Sequence, residues 1–239
     1  MINSIKFAAF VMTYRRNDTL ESTVKQLFEQ TFPPQKVIII DNDPKEGARV
    51  IAEKLSQFPV SYSAVGYNSG PAGAAKRGLE ILTQEGFDWI GWIDDDDPPL
   101  FKDSFEILLN RAHQTKNCGC VGAVGQRFNL KKALMVRVPD KELDQEGIIM
   151  VDNIAGGMCK IVKAEVISKD NILPDEKLFY GFEELDFDIR LKMSGYTLIA
   201  DAELYKRNRV YKNRIGFKVK RGQKKDTEKL WREYYSTRN

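Results

Sequence analysis

Cysteine and histidine are scarce in this 239-residue chain: Cys118, Cys120 and Cys159, and the single His113. A small, odd cysteine count argues against a disulfide framework and fits a reducing, cytoplasmic setting. Cys118-Gly-Cys120, with Cys159 distant and no histidine nearby, is also a poor zinc site, so the three are expected as small buried residues. No apolar run approaches the ~20 residues that span a bilayer. The N-terminal run lacks a small-residue cleavage site and reads as a buried strand, not a signal peptide. Internal repeats, low-complexity stretches and long linkers are missing too. What is present is an ordinary globular balance, 42% hydrophobic and 30% charged, sized for one large domain or one domain with a small appendage.

Charge is unevenly spread. Residues 206–239 carry thirteen Lys/Arg and three Asp/Glu, whereas the rest of the chain is net negative, for an overall +3. Tyr211, Phe217, Trp231, Tyr234 and Tyr235 are interleaved with those basic residues. Such a mixture suits an acidic membrane surface or a nucleic acid, or a basic helix that lays its aromatics on the body.

Hydrophobic patterning predicts an α/β fold. Ile5–Thr13, Val37–Ile40, Pro59–Ala64 and Asp88–Ile93 read as buried strands. Between them lie helical patterns: one opening at a capping box, Asp18-x-x-Glu21, one around Ala48–Leu55, and one running from the Asn68–Gly73 loop to Leu82. Strand and helix in alternation at this spacing imply a parallel sheet with helices on both faces. Further on, Phe101–Gln114 reads as a helix, Gly119–Phe128 and Ala133–Val138 as strands, and Phe179–Ser194 as a helical stretch stopped by Gly195. In parallel sheets ligands gather beyond the carboxyl ends of the strands. Four polar clusters sit at those ends here: Thr13–Arg16, Asp41–Asp43, Tyr67–Gly70 and Asp94–Asp97.

Each cluster has a chemistry. Four consecutive aspartates repel one another by about 1 kcal/mol per close pair even in water. A cation relieves that repulsion, and Mg²⁺ or Mn²⁺ takes one or two carboxylates together with substrate phosphates. Asp96 is the first candidate ligand, with Asp94 beside it. Tyr14-Arg15-Arg16 offers guanidinium forks to a phosphate. Asp41 is placed to accept hydrogen bonds from a base or ribose, and the loop from Asn68 allows close backbone approach. Glu183-Glu184-Leu185-Asp186 opens a helix and offers a carboxylate as general base.

The order of these motifs resembles a family 2 glycosyltransferase with the GT-A fold. The matching parts are FVMTYRR, VIIIDND, NSGPAGAAKRG, WIDDDDPPL, AGGMCKIVKAEVI and FYGFEELDFDIRLKMSGYTL. The ending WREYYSTRN resembles rhamnosyl- and galactofuranosyl-transferring members. The resemblance covers about residues 5–239. It implies a catalytic domain over 1–205, with a nucleotide-binding half to about 100 and an acceptor half beyond it, followed by a basic aromatic extension over 206–239. Asp94, Asp95 and Asp96 match the DxD motif, Asp94 and Asp96 as metal ligands for Mn²⁺ or Mg²⁺. Thr13, Tyr14, Arg15 and Asp41 match nucleoside-binding positions, and Asn68 matches the segment beside the base. Gly156 and Gly157 match the turn under sugar and acceptor. Glu184 falls where the family usually has its aspartate base, with Glu183 and Asp186 as the other candidates. Lys206 stands where many relatives carry a metal-binding histidine, placed to neutralise diphosphate charge itself.

The implied activity is inverting transfer of a sugar from a UDP- or dTDP-linked donor to a hydroxyl of a glycan or lipid-linked acceptor, in cell-surface polysaccharide synthesis. The expected setting is the cytoplasm, at the inner face of the plasma membrane. The tail would then touch acidic lipid, and no nucleic acid is expected as partner. Sugar-nucleotide synthesis, an aspartate-nucleophile phosphotransferase and a non-catalytic nucleotide- or glycan-binding module are the alternatives. The first normally shows a glycine-rich loop after its first strand, which TYRRND lacks.

Overall fold

The computed structural model describes residues 2–131, 134–155, 157, 159–217, 231, 234 and 235. Its first half is the alternation that the sequence predicts. Strands β1 (Phe7–Thr13), β2 (Val37–Asp41), β3 (Val60–Ala64) and β4 (Trp89–Asp94) are joined through helices α1 (Asn17–Phe28), α2 (Arg49–Lys54) and α3 (Gly70–Gln84). Helix α4 (Ser104–Gln114) leads to β5 (Cys118–Gly122), the hairpin β6 (Gln126–Asn129) and β7 (Leu134–Arg137), and β8 (Ile148–Met150). Then come β9 (Lys160–Lys163), α5 (Glu165–Ser168), α6 (Glu183–Met193), β10 (Thr197–Asp201) and α7 (Ala202–Tyr211).

Eight strands form one sheet in the order β3-β2-β1-β4-β9-β5-β10-β8. β1, β2, β3 and β4 run parallel, as do β5 and β10, while β9 runs antiparallel to its neighbours and β8 to β10. The chain places β2 and β3 on one side of β1 and then crosses to set β4 on the other. The carboxyl end of β1 is therefore the switch point at which such sheets open a crevice.

Strand periodicity fills the core on both faces. Ala8, Phe10 and Met12 of β1 join one buried cluster with α3 and α6, while Phe7, Ala9 and Val11 join a second with α1 and α4. Because both faces are covered, the strands read as unbroken apolar runs rather than alternating ones. Among the described residues no helix is long and apolar enough to cross a membrane.

Four expectations change. The first strand begins at Phe7, not Ile5, because Ile2–Ser4 form a short 3₁₀ turn. The capping box does not form: α1 starts at Asn17 with Arg16 as its N-cap, and Glu21 pairs with Lys25 one turn on. Gly119–Phe128 is two strands, not one. The chain bends at Gly125, where an added Cβ would meet Val151 at 2.7 Å and whose carbonyl accepts the Tyr205 hydroxyl. A division at 205/206 falls inside α7, which docks on the body through Lys206–Asp144, Arg207–Asp103 and Arg209–Asp140. The basic residues that open the tail are thus paired with acids of the body instead of forming a free basic face.

Candidate active site

The acid run begins at the last residue of β4. Met12 pairs with Asp94 and Thr13 with Asp41 across the parallel ladder, so three strand ends are level. The four aspartates then diverge. Asp95 is buried: its carboxylate accepts from Thr13 Oγ1 at 2.6 Å and from Arg16 at 3.0 Å, and its carbonyl accepts from Thr23. Burial raises its pKa, against the lowering effect of those hydrogen bonds. Asp96 is exposed and shares Arg16. Asp97 pairs with Lys212 at 3.1 Å. Asp94 has no hydrogen-bond or ion-pair partner among the described residues. Burial pushes it up to about 8, and the charges of Glu184, Asp96, Asp95 and Asp97 add to that.

The loop after β1 separates the two arginines. Arg15 adopts a left-handed φ of 58°, stacks over Tyr14 and reaches Asp43 at 3.4 Å; Arg16 turns to the acid run. Asp41 is fully buried, and its carboxylate is occupied by its own surroundings: it accepts from the backbone of Asp43 and Ala48 and from the Tyr62 hydroxyl. It shapes the β2–α2 turn, and Asn42 next to it takes the cavity-facing place. Asn42 donates to the Gly70 carbonyl and accepts from Ser69 Oγ, joining this turn to the start of α3. Asn68 caps the same loop by accepting from Gly70 N. Gly70 has φ +67°, and an added Cβ would lie 2.1 Å from the Phe179 carbonyl, so only glycine lets the two loops meet.

Helix α6 brings the second set of acids. Phe182, with a left-handed φ of 69°, precedes it, and Glu183 and Glu184 stand in its first turn. Glu183 is buried, its Oε2 has no hydrogen-bond partner among the described residues, and burial together with Glu184 pushes it up to about 7. Glu184 is half-buried and close enough to Asp94 for its charge to raise that group. Asp186 is paired with Arg190 at 2.5 Å, away from this cluster. Beneath the acids lies a pair that sequence reasoning missed, Lys160 and Asp188, both without exposed surface and 2.7 Å apart. Gly157 borders the acid run: an added Cβ would lie 3.0 Å from Asp94 Oδ2 and from Asp97 Oδ2. Gly156 lies outside the described residues.

These loops enclose a cavity of about 920 Å³. One side is Thr13, Tyr14, Arg16, Asn42 and Asn68, the floor is Asp94–Asp96, and the far side is aromatic, from Phe179, Tyr180, Trp231 and Tyr235. Tyr235 lies over Phe179 with centroids 4.7 Å apart, and Trp231 lies against Tyr180 at 4.9 Å. Glu184 reaches Asp94 and Glu183 through its charge, but neither glutamate lines the cavity, and Arg15, Asp41, Gly157 and Asp186 do not line it. Lys206 does not either: it pairs with Asp144 beside a shallower apolar hollow under α7. Among the described residues, Lys212 is the lysine that reaches the acid run. His113 is exposed on α4. The lysine inside the apolar stretch Met158–Val162 was the one available sequence signal for Lys160. Nothing local marks Lys212, whereas Trp231 opens the WREYYSTRN ending.

The acid run fits a divalent cation. Asp94 is an unpartnered carboxylate in a concentrated negative field, and Gly157 leaves the space beside it open. Among the described residues no three His, Cys, Asp or Glu gather into a cage, which matches a cation that completes its shell with substrate phosphates.

This sheet order, with its crevice at the end of β1, is the GT-A arrangement. The fold is similar to that of GalNAc-T7, solved with UDP, GalNAc and Mn²⁺, with a TM-score of 0.65 at 15% identity over 84% of this chain and 43% of that one. The sequence carries the assignment further. The profile of Glycosyl transferase family 2 matches residues 9–164, and the chain belongs to that family. Galactofuranosyltransferase GlfT1 of Mycolicibacterium smegmatis is 25% identical over 198 residues, 78% of this chain and 65% of that protein. GlfT1 of Mycobacterium tuberculosis (strain H37Rv) is 34% identical over 200 residues, 78% of this chain and 64% of that protein. The chain thus spans just under two thirds of the length of these relatives.

Proposed function

We propose that this chain is an inverting glycosyltransferase that moves a sugar from a UDP- or dTDP-linked donor to a hydroxyl of a glycan or lipid-linked acceptor in cell-surface polysaccharide synthesis. The observation that carries the reading is the meeting of the β1, β2, β3 and β4 end-loops around one cavity, with the acids of α6 beside Asp94. Tyr14, Asn42 and Asn68 hold the nucleoside. Arg16 and Lys212 set positive charge beside the diphosphate. Mn²⁺ or Mg²⁺ held by Asp94 and Asp96 would screen the diphosphate and stabilise the leaving nucleotide. Glu184 is the base: it takes the proton of the acceptor hydroxyl as that oxygen attacks the anomeric carbon from the face opposite the leaving group. Asp186, held by Arg190, is a structural acid in this scheme, and Glu183 is a buried neighbour of the base. The buried free cysteines support a reducing, cytoplasmic setting for this reaction.

Two measurements test this. A thermal-shift panel of UDP-, dTDP- and GDP-sugars with and without Mn²⁺ should single out UDP- or dTDP-sugars, since a ligand of the folded state raises stability with its saturation. Glu184→Gln should lower turnover by about 10²–10⁴-fold, the contribution of a positioned base, with nucleotide affinity kept. Wild-type turnover in that variant would remove Glu184 from the mechanism. Nucleotide binding without turnover in the unaltered protein would favour a binding module.

A further inference from the structure

Lys160 is the only lysine or arginine among the described residues with no exposed surface. Its Nζ donates to Asp188 Oδ1 at 2.7 Å and lies 4.8 Å from the Trp92 ring centre and 5.2 Å from that of Phe187. The other oxygen of Asp188 accepts from Asn153 Nδ2 at 3.0 Å and from Ile154 N at 2.7 Å. One buried ion pair therefore ties together β9, α6 and the turn that leads to Gly157.

Stability does not account for it. Burying two charges loses their hydration, and well-packed apolar residues of the same volume usually do as well or better. The pair sits amid Trp92, Phe187 and Cys120, where such residues would fit. Its position is more informative. Asp188 follows Glu184 by one helical turn, so the two share a face of α6. The ammonium is near enough to Glu183 and Glu184 for its charge to act on both. Glu184 in turn faces Asp94. Three acids, Glu183, Glu184 and Asp188, thus lie in the field of a single fully buried cation, and Glu184 links them to Asp94.

We infer that Lys160 is a positioning residue of the transfer reaction: clamped by Asp188, which itself fixes the Asn153–Ile154 turn against α6, it holds the Glu184 carboxylate in place at the first turn of that helix. It touches no substrate and acts through Glu184. This rests on the proposed transferase reading.

The test compares Lys160→Met with the double variant Lys160→Met/Asp188→Asn, whose amide oxygen can still accept from Asn153 and Ile154. The single variant strands a buried carboxylate and should lower Tm. The double variant removes both charges and should recover it. Turnover is read as nucleotide released from UDP-galactofuranose, UDP-N-acetylglucosamine and dTDP-rhamnose, and binding is read by calorimetry with UDP and dTDP. The expected result for the double variant is a wild-type Tm, nucleotide Kd within about twofold, and kcat lower by about tenfold or more, toward the range lost with a base itself. Equal kcat in wild type and double variant would reduce the pair to core filling. Weaker nucleotide binding at unchanged kcat would also overturn the inference, since the pair would then serve the donor site. A double variant that stays as unstable as the single one would make the pair a folding element and end the proposal. Wild-type protein that binds none of these nucleotides, or releases none, sinks the transferase reading itself and this inference with it, an outcome distinct from the variant results.

Discussion

Arg15 and Arg16 are adjacent, yet they serve different loops. The left-handed turn at Arg15 sends its side chain to Tyr14 and Asp43, while Arg16 reaches Asp95 and Asp96. Arg16→Ala should raise the sugar-nucleotide KM by about tenfold, the loss of one charge-assisted hydrogen bond. The stability loss should be only about 1 kcal/mol, because the arginine is half exposed and Thr13 still holds Asp95. Arg15→Ala should leave KM within about twofold of wild type by the same measure. Steady-state kinetics on both variants checks the order, and a larger effect at Arg15 would reverse the assignment. Glu183 makes a second prediction at this scale. Its carboxyl titrates at about 7 in the folded protein and near ~4.3 in an unfolded chain. Between those values the unfolded chain gives up a proton that the folded protein keeps, so folding is favoured below the window and weakens as pH rises through it. Glu183→Gln removes that penalty. Relative to wild type, the variant should gain on the order of 3 kcal/mol between about pH 4 and about pH 8. Denaturation curves across that range test it, and a difference independent of pH would contradict the buried-acid account.

At the scale of elements, α3 sits close on β1 because Gly78 faces Phe10. An added Cβ would meet that ring at 2.4 Å. Gly78→Ala improves helix propensity by about 1 kcal/mol, but the clash, typically 1–3 kcal/mol, opposes it. The substitution is therefore expected to destabilise by about 1 kcal/mol net. Chemical denaturation gives the sign, and a stabilised variant would mean that α3 can lift away from the sheet at no cost. The elements themselves were largely legible. Runs such as VIIID and WIGWID are long enough and apolar enough to be read as doubly covered strands. Helix starts were less so. Asp18 and Glu21 form the right pattern for a capping box, but the N-cap falls two residues earlier, at Arg16, set by the geometry of the Arg15–Arg16 turn. Gly119–Phe128 misled for the same reason: its break at Gly125 is imposed by Val151 and Tyr205, which are remote in sequence.

On the scale of the whole molecule, the chain returns at its end to the site begun by β1. Trp231 and Tyr235 lie over Tyr180 and Phe179 and complete the aromatic side of the cavity. Neither is part of the buried core. Trp231→Ala should thus leave Tm nearly unchanged while raising a substrate KM by about tenfold, in line with ~1–1.5 kcal/mol for a lost aromatic contact. An unaltered KM for donor and acceptor alike would show that the wall is not used. A count of charges leaves this tail open to a membrane surface, a nucleic acid or packing on the body. Pairing of Lys206, Arg207, Arg209 and Lys212 with acids of the body is invisible to such a count.

The amino-acid pattern alone determined the α/β alternation, the parallel sheet and the gathering of polar loops at its carboxyl edge, because strand and helix periods and strand-end polarity are properties of neighbouring residues. Tertiary structure decided which charges in that gathering are already matched. Arg16 meets Asp95 and Asp96 from about eighty residues away, Lys212 meets Asp97 across 115, and Lys160 meets Asp188 across 28. Electrostatic pairing acts through space, so the fold alone singled out Asp94 as the aspartate of its run without a partner among the described residues and set Glu184 near it.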